Sequence, residues 1–276
     1  MASLLKPFKT NETHRESVYG PIVGIDIGGS GIKAARVDIA TGELVSERVR
    51  YDTPDPSKPD AVVDILHKLV SDLEIGEEPV GLGFPGIVKG GVALSAANLH
   101  KDWSDADLNE LVEPVFGKHA YFLNDADAAG LAEVRFGETR NKEGLVLMIT
   151  VGTGIGTALF HDGQLLPNKE LGHLLINPKS RKSAITVENW ASNDARKKAD
   201  LKWKDWAGRL NEVLHAYEFY LSPDHFILGG GAAKRYEKFA MDLDQHFSIS
   251  CAHLGNHAGM IGAACHAQES VKPSVA

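Results

Sequence analysis

Two glycine-rich turns, Asp26-Ile-Gly-Gly-Ser-Gly-Ile-Lys33 and Thr150-Val-Gly-Thr-Gly-Ile-Gly156, limit what this chain can fold into more than any other feature. Each follows an apolar run, Pro21-Ile-Val-Gly-Ile25 in one case and Leu145-Val-Leu-Met-Ile149 in the other, and each leads into a second apolar run. Strand, glycine turn, strand is therefore the local plan at both places. A turn that presents backbone N–H groups to an anion needs glycine, because the chain there takes unusual φ/ψ values and approaches the ligand closely. Either turn alone would serve equally well as an ordinary tight hairpin. Two in one chain predict half-sites that grip one phosphate chain between two lobes.

The remaining pattern is strand-rich. Apolar runs predict strands over 22–27, 32–38 and 44–50, and the prolines of Thr53-Pro-Asp-Pro-Ser-Lys-Pro59 forbid regular structure there. Val62, Ile65, Leu66, Leu69 and Val70 repeat at helical spacing, which predicts a helix over 61–73. A strand over 80–84 ends in Pro85-Gly86, followed by a hairpin through Lys89-Gly-Gly91, an extended segment over 95–99 and a helix over 105–112. A short strand over 120–123 runs into Asn124-Asp125, with a helix over 126–136 after it. The second glycine hairpin spans 145–160. A long helix then carries Leu210, Val213, Leu214, Tyr217 and Leu221, a strand over 225–228 meets Gly229-Gly-Gly231, and a last helix covers 260–265. Both halves repeat the same units, which predicts an α/β fold of duplicated architecture. The expected division is a flexible N-terminal tail over 1–20, a small lobe over 21–124 joined by a C-terminal helix at about 256–270, and a large lobe over 125–255.

Charge and composition exclude several classes. A net charge of −8 argues against a general nucleic-acid binder. Residues 179–209 depart from that balance: Lys179, Arg181, Lys182, Arg196, Lys197, Lys198, Lys202, Lys204 and Arg209 stand against Glu188, Asp194, Asp200 and Asp205. That segment reads either as a solvated helical face or as a track for a polyanion. No stretch is apolar over the ~18 residues that span a bilayer, and the polar residues 1–20 are no signal peptide, so no membrane partner is expected. Cys251 and Cys265 are the two cysteines and form no C-x-x-C, which predicts neither a disulfide framework nor structural zinc and suits a cytoplasmic location.

Neither turn is a familiar nucleotide loop. Gly152-Thr-Gly-Ile-Gly156 has G-x-G-x-G spacing and leads into a strand, whereas a dinucleotide fingerprint is G-x-G-x-x-G opening a helix, and no G-x-x-x-x-G-K-[ST] occurs. With an Asp at the first turn, the arrangement points to an actin-like (ribonuclease H-like) two-lobe sugar kinase fold. The motifs then become specific. Asp26–Lys33, Gly83-Phe-Pro-Gly86, Ala97-Asn98, Asn124-Asp-Ala-Asp-Ala-Ala-Gly130, Gly152–Gly156, Glu170-Leu-Gly-His173 and Gly229–Gly231 resemble, in order, the motifs of the ROK sugar kinases. Phe84-Pro-Gly-Ile87, Ser95-Ala-Ala-Asn98 with nearby Trp103, and Asn124–Glu133 are most similar to the branch of polyphosphate glucokinases and polyphosphate/ATP glucomannokinases.

The resemblance implies phosphoryl transfer from inorganic polyphosphate, and from ATP, to the 6-hydroxyl of glucose, with mannose as an open second acceptor. A strictly ATP-dependent hexose kinase, a non-catalytic sugar sensor and an actin-like ATPase are the alternatives. Such a transfer needs a base at the hydroxyl and charge neutralisation at the phosphate. Asp125 ends a strand at a helix start; it is either the base the family uses or a helix N-cap, with Asp127 the better cap candidate. By resemblance Asn98, Asn124 and Asp125 hold the 3-, 4- and 6-hydroxyl side of the sugar, and Glu170 and His173 the 1- and 2-hydroxyl side, with Glu188 a further acceptor there. His173 could equally be a satisfied structural histidine. Gly28, Gly29, Ser30 and Lys33 would cradle the transferring phosphate, Gly152, Thr153 and Gly154 the rest of the donor, and Gly230 its far side. Lys33 reads equally as a solvated strand charge, and Gly229–Gly231 as a tight turn. Asp26 would approach Mg²⁺ through water. The family's zinc-binding cysteine cluster has no counterpart, since no cysteine follows His173 before Cys251, so no zinc is expected. The polar start leaves no helix-turn-helix ahead of Ile22, which disfavours a repressor, and a homodimer is the family expectation.

Overall fold

The computed structural model describes residues 20–140 and 142–271. The tail expected over 1–20 therefore lies, apart from Gly20, outside the described residues. The first half builds β1 (Ile22–Ile27), β2 (Ile32–Val37), β3 (Val49–Tyr51), α1 (Pro59–Asp72), β4 (Val80–Phe84), the small hairpin β5 (Val88–Lys89) and β6 (Val92–Ala93), α2 (Leu108–Phe116) and β7 (Ala120–Asn124). The second half builds α3 (Asp125–Phe136), β8 (Leu145–Val151), β9 (Ile155–His161), β10 (Gln164–Leu166), β11 (Leu175–Ile176), β12 (Ile185–Thr186), α4 (Val187–Ala191), α5 (Asn193–Lys198) and α6 (Trp203–Leu221). It ends with β13 (His225–Gly229), α7 (Gly230–Ala233), β14 (Ile249–Cys251) and α8 (Ala258–Ser270).

The two main sheets have one topology. The first runs β3-β2-β1-β4-β7 and the second β10-β9-β8-β13-β14. In each, the three strands around the glycine hairpin are antiparallel and the next two join in parallel. Each sheet buries one face under its own helices: α1 and α2 cover the first through Leu66, Leu69 and Val112, and α6 covers the second through Trp206, Leu210 and Leu214. The facing sides share a third core in which Ile22 and Val37 of the first sheet and Val146, Phe160 and Ile227 of the second pack around Leu131 of α3 and Ile261 and Ala264 of α8. The duplicated architecture expected from the glycine hairpins is the architecture observed.

Small residues set how closely these layers meet. An added Cβ at Gly24 or Gly81 would overlap the backbone of α8, and one at Gly262 would overlap the Ala128 carbonyl oxygen of α3. Gly262→Ala is expected to force α8 off α3 and to lower stability by about 1–3 kcal/mol. The measurement is the urea midpoint at constant m-value; an unchanged midpoint would contradict this packing.

Several boundaries differ from the sequence expectation. The third strand covers Val49–Tyr51 rather than 44–50, because Leu44 makes only an isolated bridge to Val37 and Ser46 uses its hydroxyl to take the Arg36 N–H. The last helix, Ala258–Ser270, extends past the apolar run 260–265 and lies within the span of about 256–270 expected for the C-terminal helix. Beyond the apolar run the helix continues through His266, Gln268 and Glu269, and only Ala267 between them is buried. Residues 187–198, where no pattern was legible, hold the short helices α4 and α5, capped by Thr186 and Ser192.

Candidate active site

The first turn leaves β1 just after Asp26. Gly28 N donates to Gly31 O at 3.1 Å, and Arg50 Nη2 donates to Ser30 O at 3.1 Å, closing the turn from behind. Asp26 and Lys33 are cross-strand partners, and Lys33 Nζ lies 2.8 Å from Asp26 Oδ2. Lys33 is thus an ion-paired group and not a free solvated charge. At the start of α8, an added Cβ at Gly259 would stand 2.9 Å from Asp26 Cγ, so glycine leaves that carboxylate its room. Gly29 lies against the loop that carries Asn98: an added Cβ there would meet Asn98 Cβ at 2.7 Å.

The second turn joins β8 to β9. Gly152 N donates to Gly154 O at 2.9 Å, Ile155 N donates to Glu188 Oε2 at 3.2 Å, and Asn193 N donates to Gly152 O at 3.0 Å. The helices α4 and α5 therefore brace this turn, and Glu188 sits directly against Gly154. Thr153 is exposed at its tip.

Between the turns, β7 runs straight into α3. The N-cap is Asn124, whose Oδ1 accepts from Ala126 N at 2.9 Å and Asp127 N at 3.0 Å. This corrects the expectation that Asp127 caps the helix: the helix begins at Asp125, one residue earlier than expected, so the cap moves back too. Asn124 Nδ2 donates to Gly86 O at 3.1 Å and to Glu170 Oε1 at 3.0 Å. Both donors and both lone pairs of Asn124 are thus engaged inside the protein, where they hold Gly86, Glu170 and the start of α3. Asp125, in the first turn of α3, accepts from Ala126 N at 2.8 Å. Burial raises its pKa from 3.8 to about 7, repulsion by Asp26 adds to this, the Ala126 bond opposes it, and Glu170 and Asp127 push it up further. A helix N-terminus ordinarily favours a charged carboxylate; here desolvation and like charges win.

Glu170 and His173 lie on the short turn between β10 and β11. Burial raises the pKa of Glu170, His173 opposes the rise, Glu188 adds to it, and the Asn124 bond lowers it. The turn is pinned by Thr157 Oγ1, which accepts from Leu171 N at 3.1 Å, and by Tyr217, whose hydroxyl donates to Leu171 O at 3.1 Å. His173 is exposed and so is not a buried structural histidine. Asp127 is 1% exposed and its Oδ2 accepts from Asn168 N at 2.7 Å. Burial first, and then Glu170, push its pKa up to about 7 against the Asn168 bond. Asn168 in turn pairs with Val88 of the first lobe through both backbone groups, at 3.1 and 2.9 Å.

A cleft of about 430 Å³ opens beside Asp125, lined among others by Asp26, Lys33, Thr150, Gly230, Lys234 and His253. Gly230 has φ +76° and packs on the Val151 backbone, which suits glycine there. The structure therefore brings Asp26, Lys33, Asp125 and Gly230 to one cleft and sets Asn124, Glu170, His173 and Glu188 together beside it. Asn98 lies against the first turn. Asn168, Lys234 and His253 escaped the sequence reading, because they meet the site across long loops with no motif of their own. In the basic segment Arg196 stacks on Trp203 at 4.1 Å, Arg209 stacks on Trp190 at 4.0 Å, and Lys198 pairs with Asp194 at 2.7 Å, while Lys197 and Lys202 are exposed.

Comparison with known proteins sharpens this picture. The model of the ROK family matches residues 22–204. The polyphosphate glucokinase of Mycobacterium tuberculosis (strain ATCC 25618 / H37Rv) is 38% identical over 257 residues, which cover 93% of this chain and 94% of that protein. The crystal structure of the inorganic polyphosphate/ATP-glucomannokinase from Arthrobacter sp. strain KM superposes with a TM-score of 0.84 at 41% identity, covering 91% of this chain and all of that one (100%). A ROK family glucokinase from Streptomyces griseus, solved with glucose and AMPPNP, superposes with a TM-score of 0.71 at 25% identity over 89% of this chain and 98% of that one.

Proposed function

The chain belongs to the ROK family, and from that premise we propose that it transfers a phosphoryl group from inorganic polyphosphate, and from ATP, to the 6-hydroxyl of glucose. One observation carries the proposal. Asp125 borders the cleft with Asp26, and Asp26 and Glu170 both lie near enough to push its pKa up, so in this reading one carboxylate neighbours the donor-side Asp26 and the acceptor-side Glu170. In this reading the lobes part near residue 125 and α8 returns to the first. Asp125 takes the proton of the 6-hydroxyl as that oxygen attacks phosphorus, and a pKa near 7 suits a base working at neutral pH. The backbone amides of Gly29 and Ser30 and of Thr153 and Gly154 face the donor oxygens, Gly28 and Gly152 close the two turns with their own N–H groups, Lys33 adds charge and Gly230 bounds the far side. Glu170, His173, Glu188 and Asn98 bind the sugar hydroxyls, and Asn124 holds Glu170 and the start of α3. Closure of the cleft excludes water, the competing acceptor.

Mg²⁺ fits this donor set. Asp26 offers a hard oxygen ligand, Lys33 bonds only its Oδ2, and the missing Cβ at Gly259 leaves space around it. Asp26 is the residue that would hold the ion; when bound, it neutralises charge on the transferring phosphate. Mannose enters the proposal because the Arthrobacter relative is a glucomannokinase, and a cytoplasmic homodimer completes it.

The deciding assay measures glucose 6-phosphate with long-chain polyphosphate, with ATP and with neither. Product from polyphosphate supports the proposal. Product from ATP alone makes the chain a strictly ATP-dependent kinase, and glucose binding without turnover makes it a sensor. Polyphosphate needs repeated cations and no base recognition, and α5 is tethered to the second turn through Asn193. Neutralising Lys197, Lys198 and Lys202 to Gln is therefore expected to raise KM for polyphosphate about fivefold or more while changing KM for ATP less than about twofold, and to flatten the salt dependence of the polyphosphate reaction. Equal effects on both donors would refute a polyanion track.

A further inference from the structure

On the far side of the second lobe, His215 and Glu218 lie one turn apart on α6, and Asp244 and His246 lie two residues apart on the loop before β14. His246 Nε2 is 2.8 Å from Glu218 Oε1 and its Nδ1 is 3.1 Å from Asp244 Oδ1. His215 Nε2 is 3.2 Å from Asp244 Oδ2, and its Nδ1 is 3.4 Å from Glu218 Oε2. One ligand atom from each of His215, Glu218 and His246 lies within 4.8 Å of the others. We propose that these four side chains form a surface site for one divalent first-row transition ion of the zinc class, separate from the phosphoryl-transfer cleft and clamping α6 to the loop that leads into β14.

The donor set selects the ion. Two imidazoles with two carboxylates suit zinc, nickel, cobalt or copper, whereas calcium and magnesium take oxygen ligands almost exclusively. Tetrahedral zinc with bonds near 2.0–2.2 Å brings its ligands to about 3.4 Å from one another. The present separations therefore require side-chain closure of about 1 Å, which half-exposed rotamers allow. The backbone, by contrast, is already set. Asn211 Nδ2 donates to Asp242 O at 2.9 Å and Asp244 N donates to Asn211 Oδ1 at 3.0 Å, which fixes the loop on α6. His246 packs at 4.0 Å on Phe247, which in turn packs on Phe226 of the buried core.

The bare ion pairs and a bound ion balance the two carboxylates equally and differ in where the positive charge sits. The two imidazole rings face each other with centroids 5.5 Å apart and planes 25° apart. Meeting both carboxylates by hydrogen bonds alone requires protons on all four ring nitrogens, and so two like charges stacked together. A divalent cation meets the same carboxylates with both rings neutral. The site shares nothing with the family's cysteine cluster and needs no assumption about the reaction catalysed.

The test is equilibrium dialysis of the full chain against Zn²⁺ in magnesium-free buffer, for the wild type, His246→Gln and His215→Gln/His246→Gln. The expected result is one saturable Zn²⁺ per wild-type chain, affinity weakened about tenfold or more by the single change, and no saturable binding in the double variant. Zn²⁺ at a hundredfold excess over Kd should also raise the wild-type Tm by about 5 °C and leave the double variant unmoved. Circular dichroism confirms that the variants are folded; should the double variant fail, the single change still discriminates. Undiminished Zn²⁺ binding in the variants places the ion elsewhere and overturns the proposal, as does the absence of saturable wild-type binding at millimolar Zn²⁺.

Discussion

Asp125→Asn is expected to lower kcat for glucose phosphorylation by about 10²–10⁴-fold, the range a positioned general base supplies, while glucose still binds and the folded chain becomes more stable at pH 8. The catalytic loss follows because Asn cannot take the proton, although its amide oxygen can still accept the Ala126 N–H. The stability gain follows from linkage. The folded-state pKa of Asp125 stands at about 7 against an ordinary 3.8. Between about pH 4 and pH 7 the native chain therefore binds more protons than the unfolded chain, and stability falls as pH rises through that window. Asn removes this loss, so the variant's Tm exceeds the wild type's above pH 7 and approaches it near pH 4. Asp127 has the same sign, so part of the wild-type decline persists in the variant. In the wild type the same ionisation sets the acid limb of kcat/KM, which should fall tenfold per pH unit below about pH 7. Near-normal kcat, or a variant less stable at pH 8, would remove Asp125 from its assigned place.

Glu170→Ala should reduce kcat/KM for glucose by about 10²-fold or more, chiefly through KM. Two losses combine. A sugar hydroxyl loses a charged acceptor, for which about 1.5–3 kcal/mol is typical, and the Asn124 amide loses one of its two bonds in a buried setting, at about 1–3 kcal/mol. Because Asn124 also caps the helix that presents Asp125, kcat should fall a few-fold as well. Glu170→Gln keeps an oxygen for Asn124, so it should restore most of kcat while leaving KM high. Glucose affinity by calorimetry, set beside steady-state kinetics, checks both parts. Unchanged glucose affinity in the Ala variant would take Glu170 out of the sugar site.

Much of this was legible in the sequence, for identifiable reasons. The glycine hairpins and the apolar runs beside them mark β1, β2, β8 and β9, because buried strands read as continuous apolar segments. The helix α8 was legible in its span, but not in its packing, because the close approach through Gly259, Gly262 and the alanines around them leaves no amphipathic pattern in that stretch. At the site, Asp125 and the turns stood out by motif. The neighbourhood of Glu170, Glu188 and Asn124 joins segments that no local period connects. Asp127 shows the limit most clearly. Read as a cap, it instead holds Asn168 across 41 residues of chain, and through it the Val88 hairpin of the opposite lobe.

In the proposed reaction one carboxylate, Asp125, lies between a bound hexose and the phosphate-binding turns. A crystal structure of the chain with glucose tests it most directly. Glucose is expected among Glu170, His173, Glu188 and Asn98, with its O6 about 2.6–3.2 Å from an Asp125 oxygen and turned toward the cleft that Asp26 and Gly230 line. Glucose bound with O6 beyond hydrogen-bonding reach of Asp125, or at a site on the other side of either lobe, would contradict it.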